Sequence, residues 1–130
     1  MTGELLFVYG TLRRGCPTGA HNKFLAGATF ITPARTKGKL FRVSYYPALI
    51  IDEAADWVIG EIYQLASTEQ LAALDAYEEC TYPALPEQEY QRRKITVLTD
   101  VGESLFVWVY AYQHVSTHLE FIASGDFFNP

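Results

Sequence analysis

At 130 residues, with 49% hydrophobic and 15% aromatic content, the chain suits a single domain over residues 1–130 with a sizeable core, and is too apolar for a disordered segment. No apolar run reaches bilayer-spanning length and no basic stretch precedes an apolar one at the N-terminus, so a cytoplasmic protein without membrane contact is expected. The net charge of -5 argues against general nucleic-acid binding.

In chain order, residues 4–9 read as a first strand that breaks at Tyr9-Gly10-Thr11-Leu12. A short helix is expected over Thr18–Ala26, after the Pro17 break. Phe30–Ile31, Leu40–Val43 and Ala48–Ile51 are short β-branched or aromatic segments read as strands, and Trp57–Leu65 is a stronger one, with Gly60 as a candidate bend or bulge. Ser67–Glu78 is the clearest helix. Its Ser67-x-x-Gln70 sequence forms a capping box, and Leu71 and Leu74 supply the apolar stripe. After a loop with Pro83 and Pro86, Glu89–Thr99 and Ser104–Gln113 read as a long hairpin across Asp100-Val101-Gly102-Glu103. Phe106, Trp108, Tyr110 and Tyr112 share one face of its second arm, and Leu105, Val107, Val109 and Ala111 the other. Two apolar faces predict a central strand in a curled, barrel-like mixed sheet with one or two helices packed on it. The aromatic row would line either the core or a cavity. Thr117-x-x-Glu120 suggests a second capping box and a short final helix ending near Gly125.

Two features carry chemistry. Gly10 lets the backbone lie close to a ligand, and successive N–H groups in such a turn can converge on an anion; the alternative is a tight connection with no ligand. Seven of the ten basic residues lie at or before Arg42, against Glu4 alone. That basic third would either draw a small anion toward the Gly10 loop or form solvated strand edges. The second feature is Glu78. At about 100° per residue it projects between Leu71 and Leu74. A helix persisting that far turns the carboxylate inward, where burial and the helix C-terminus raise its pKa toward that of a general base. A helix that frays earlier leaves it exposed beside Glu79. Asp75, about 40° from Leu71 on the same projection, is the weaker candidate.

Other chemistries fit less well. Gly10 and Gly15 have P-loop spacing, but Cys16-Pro17 replaces the Lys-Ser/Thr pair, and there is no G-x-G-x-x-G or G-x-S-x-G. Cys16 and Cys80 form no C-x-x-C pair and are read as free thiols. Neither sits in an activating context for a Cys–His nucleophile. His21, His114 and His118 lack zinc-ligand spacing with the cysteines, so no metal site is expected.

Val8-Tyr9-Gly10-Thr11-Leu12-Arg13-Arg14-Gly15, Tyr46-Pro47, Gly60-Glu61-Ile62-Tyr63, Leu74-Asp75-Ala76-Tyr77-Glu78 and Tyr90-Gln91-Arg92 occur in the order seen in the γ-glutamylcyclotransferase-like family, which includes AIG2-like proteins and γ-glutamylamine cyclotransferases. The chain resembles that family along nearly its whole length. Glu78-Glu79-Cys80 followed by Pro83-Ala84-Leu85 looks most like the γ-glutamylamine branch, although extra residues between Leu85 and Tyr90 depart from it. The resemblance implies an α+β fold, a small mixed β-barrel with flanking helices. It also implies cofactor-free release of 5-oxoproline from a small-molecule γ-glutamyl substrate, with no nucleic-acid or membrane partner. Glu78 would be the acid/base, and Tyr9, Gly10, Thr11 and Leu12 would bind the glutamyl group. Tyr9, Tyr63, Tyr90 and Tyr110 are candidate pocket hydroxyls or core rings. Two alternatives stand beside this reading: a non-catalytic small-molecule binding or interaction domain on the same fold, and removal of a γ-glutamyl protecting group in a biosynthetic pathway. The oligomeric state is not readable from the sequence.

Overall fold

The computed structural model describes residues 4–14, 16, 19–43, 46–78, 85–86, 88–113 and 119–130. Their elements are β1 (Leu5–Val8), α1 (Ala20–Phe24), β2 (Thr29–Arg42), β3 (Pro47–Ile51), β4 (Trp57–Gln64), α2 (Thr68–Tyr77), β5 (Tyr90–Thr99), β6 (Ser104–Tyr112) and β7 (Glu120–Phe121). Strands β2, β4, β1, β6 and β5 are hydrogen-bonded in that order, and Ala34 and Arg35 of β2 pair with Thr99 and Leu98 of β5 to close the ring. The result is a five-stranded barrel, mixed because β1 runs parallel to β6 while its other neighbour β4 is antiparallel. Closure leaves these strands fewer open edges. Strands β3 and β7 extend the sheet from β2.

Alternation along the strands divides the apolar residues between two cores. Phe7, Ile62, Val97, Val107 and Val109 fill the barrel, while Leu6, Val8, Tyr63 and Tyr110 point outward beneath Leu71 and Leu74 of α2. Strand β6 is central, as its two apolar faces predict. Its aromatic row, however, is not buried throughout: Tyr110 is enclosed, whereas Phe106, toward the hairpin end, is 63% exposed. Helix α2 covers only part of the outer face.

Local sequence explains α2 well. Ser67 is its N-cap, its Oγ accepting from the Gln70 amide at 3.2 Å, and Glu78 is its C-cap. Gln70 departs from the simple capping box. Its Oε1 accepts from the Ala66 amide at 2.7 Å, and its Nε2 donates to Phe24 and Ala26 carbonyls, joining α2 to the end of α1. Ser67→Ala is expected to cost about 1 kcal/mol, read as a lower urea midpoint at unchanged slope.

Several expectations need correction. The segments at Phe30–Ile31 and Leu40–Val43 belong to one long strand, β2, whose pattern is interrupted by Pro33 and Gly38 but whose pairing with β4 and β3 carries it through. The register shift lies between Phe30 and Thr32, not at Gly60. Gly60 serves close packing instead: a Cβ there would collide with the Val8 carbonyl and the Phe7 ring. Helix α1 is shorter than expected. The C-terminal segment forms β7, with Phe41 paired to Phe121 and Arg42 to Glu120, in place of the expected final helix; a sheet partner from β2 overrides the local capping signal. Cys80, Pro83, His114, Thr117 and His118 lie outside the described residues.

Candidate active site

The cavity opens where β1 ends. It has a volume of about 130 Å³ and is lined by the turn from Tyr9 to Leu12 together with Tyr46, Pro47, Tyr77, Glu78, Glu89, Tyr90 and Tyr110. All five site residues expected from the sequence therefore meet in one place.

The turn is held on several sides. The Arg13 amide donates to the Gly10 carbonyl at 3.0 Å, closing a tight bend. Thr11 Oγ1 lies 3.2 Å from the Tyr77 hydroxyl, His21 Nδ1 lies 2.9 Å from the Leu12 carbonyl, and the Arg14 amide donates to Glu61 Oε1 at 3.1 Å. Among the described residues, the amides of Gly10, Thr11 and Leu12 donate to no protein acceptor. The reason for glycine at position 10 differs from the conformational one: its φ is not positive, and a Cβ there would strike the ring of Pro47. Gly10 thus fits the turn against the opposite cavity wall.

Glu78 enters from the end of α2. Its amide completes the last helical turn by donating to the Leu74 carbonyl at 2.9 Å, so the helix does reach it and does not fray earlier. The side chain is half-buried and borders the cavity. Burial, and secondarily the Glu89 carboxylate, push its carboxyl from the ordinary 4.5 up to about 7. Desolvation disfavours the charged form and a nearby like charge adds to the effect.

Asp75 has a different place. Its Oδ1 accepts from the Tyr110 hydroxyl at 2.7 Å and pairs with Arg92 Nε at 2.9 Å, riveting α2 to the barrel. It does not line the cavity. The basic N-terminal residues are not in the cavity wall either: Arg14 stacks on Phe30 and Arg13 pairs with Asp126. Cys16 lies outside the wall as well. Tyr9, Tyr90 and Tyr110 line the cavity but Tyr63 does not. The hydroxyls of Tyr9 and Tyr90 donate to the carbonyls of Tyr110 and Pro47, both at 2.6 Å. Burial raises the Tyr90 and Tyr110 pKa values, keeping both hydroxyls protonated.

Glu89 was not among the sequence candidates. It sits exposed at the rim, accepting from the Tyr46 hydroxyl at 3.2 Å. Its place at the foot of β5 carries no periodicity signal, because it precedes the strand. Tyr77 was likewise missed as a wall residue, and its neighbour Glu78 offers the signal that would have found it. Among the described residues, no three His, Cys, Asp or Glu side chains converge as metal ligands would.

A small closed barrel with a cavity at one strand end, bordered by a carboxyl of raised pKa, has the arrangement in which small-molecule sites are commonly found. The chain belongs to the family described as "Gamma-glutamyl cyclotransferase, AIG2-like", whose sequence profile matches residues 6–129. It is 30% identical over 125 residues to a protein of Methanocaldococcus jannaschii named "Putative gamma-glutamylcyclotransferase", covering 95% of both chains. A protein of the same name from Vibrio cholerae is 33% identical over 125 residues, covering 95% of this chain and 94% of the relative. The crystal structure of an AIG2-like protein from Mus musculus superposes with a TM-score of 0.74 at 26% identity, covering 95% of this chain and 88% of the mouse chain.

Proposed function

We propose that this protein is a γ-glutamyl cyclotransferase that converts a γ-glutamyl amine or γ-glutamyl amino acid into 5-oxoproline and the free amine. The observation that carries the reading is the Glu78 carboxyl, raised to about 7 in the same cavity as the Tyr9–Leu12 turn.

The substrate supplies both reacting groups. Its α-amine nitrogen attacks its own δ-carbonyl carbon, a C–N bond closes the five-membered ring, and the carbonyl oxygen takes up negative charge. Glu78 accepts a proton from the attacking nitrogen and passes it to the departing amine nitrogen as the original amide C–N bond breaks. Water is not consumed and Glu78 ends as it began. A carboxyl titrating near neutrality is suited to both transfers, a role typically worth about 10²–10⁴ in rate. The remaining work is to fold a flexible glutamyl chain into ring-closing geometry, where proximity effects are large. The cavity wall of tyrosine rings and Pro47 confines it. The open N–H groups of Gly10, Thr11 and Leu12 bind an anionic oxygen, either the α-carboxylate or the developing oxyanion.

The test is incubation of the purified protein with a panel of γ-glutamyl amines and amino acids, followed by chromatographic assay of 5-oxoproline. Turnover is expected with a chelator present. Activity abolished by the chelator and restored by a metal would overturn the cofactor-free mechanism. Compounds that bind without any turnover would make this a binding domain.

A further inference from the structure

Arg13 directly follows the cavity-lining turn, yet it is not part of the cavity wall and its side chain is only 11% exposed. A buried cation is tolerated only when its charge is met. Two carboxylates meet it, unequally: Asp126 Oδ1 lies 2.8 Å from Arg13 Nη1, while Glu61 Oε2 stands 3.5 Å from Nε. The Phe128 ring lies 4.1 Å from the same guanidinium. Asp126 is itself pre-set, accepting from the Phe128 amide at 3.0 Å and from Asn129 Nδ2 at 3.1 Å, and its carboxyl is held below the usual range chiefly by the Arg13 contact working against burial. The segment is anchored to the barrel by the Ile122 amide on the Leu40 carbonyl and the Ile59 amide on the Gly125 carbonyl, each at 2.8 Å.

Glu61 has two other obligations. Its Oε1 accepts from the Arg14 amide and from the Tyr63 hydroxyl at 2.8 Å, so it pins the far end of the turn to the barrel wall. With Asp126 neutralised, the buried guanidinium would have Glu61 as its remaining carboxylate partner, and would pull that carboxylate off the Arg14 amide. The turn would then lose its fixed position.

We infer that the C-terminal segment belongs to the substrate-binding apparatus: Asp126 is a positioning residue that, through Arg13 and Glu61, sets the Tyr9–Leu12 turn in the conformation that receives the glutamyl group. The inference rests on the proposed function for the identity of the ligand. Asp126→Asn is expected to raise KM about tenfold, as loss of one charge-assisted contact would, with kcat within about threefold of wild type. Asp126→Glu should recover part of the loss. The amide NMR resonances of Gly10 and Thr11 should shift in Asp126→Asn without added ligand. If that variant melts below the assay temperature, Asp126→Glu, which keeps the charge but displaces it from the 2.8 Å contact with Arg13, carries the same comparison with a smaller change. Normal KM with unshifted Gly10 and Thr11 resonances would overturn the inference, as would a parallel fall in kcat and rise in KM with shifts confined to residues 119–130. Should wild type form no 5-oxoproline from any compound, the proposed function fails by itself, and the Gly10 and Thr11 resonances still decide the role of Asp126.

Discussion

Glu78→Gln is expected to lower kcat by about 10² or more while leaving the fold and substrate binding intact. Glutamine matches glutamate closely in volume and still hydrogen-bonds, so the packing of Leu71 and Leu74 beneath α2 should survive. It cannot accept a proton as a carboxylate does. Single-turnover measurement with enzyme in excess and above the dissociation constant separates the two effects, and a folded variant with near-normal kcat would remove Glu78 from the chemistry. The wild-type rate should rise with pH through an apparent pKa of about 7, the value to which burial and Glu89 push the group.

The same shift has a consequence for stability. Between about 4.5 and 7 the folded protein keeps the Glu78 proton while the unfolded chain releases it. Folded stability attributable to this group is therefore complete below the lower value and falls as pH rises through the upper one, by on the order of 1–3 kcal/mol. Glu78→Gln should flatten that slope and be the more stable protein at pH 8. Urea unfolding of both proteins across pH 5 to 8 would show it, and parallel slopes would contradict the buried-carboxyl account.

Gly10→Val is expected to abolish measurable substrate binding in a protein that still folds. The added carbon atoms would enter the space held by the Pro47 ring, forcing apart the two walls that confine the cavity. Pro47 begins β3, and its carbonyl accepts from the Tyr90 hydroxyl at 2.6 Å, so the displaced wall cannot yield without breaking a buried bond. The relief falls instead on the turn, which borders open space. Calorimetric titration with a turnover product such as 5-oxoproline, beside a melting curve, distinguishes a lost site from a lost fold. Unchanged affinity in the folded variant would exclude the turn from binding.

What the amino-acid sequence determined by itself was whatever repeats over a few residues. The spacing of Leu71, Leu74 and Glu78 aimed that carboxylate inward provided the helix reached it, which the structure decided, and Ser67 marked where the helix starts. Alternation in Ser104–Gln113 marked a central strand with two apolar faces, and the Tyr9–Leu12 break marked a turn at a strand end. These signals survive folding because they arise from the 3.6- and 2-residue periods of the backbone itself. Tertiary structure alone decided the rest. It carried β2 unbroken past Pro33 and Gly38, and drew Glu120 and Phe121 into a sheet edge. Across long stretches of chain it set Pro47 against Gly10, Glu89 beside Glu78, and Asp126 on Arg13, while committing Asp75 to Arg92. Such partners meet only when the barrel closes, and no local periodicity encodes which side chain will stand on the far wall.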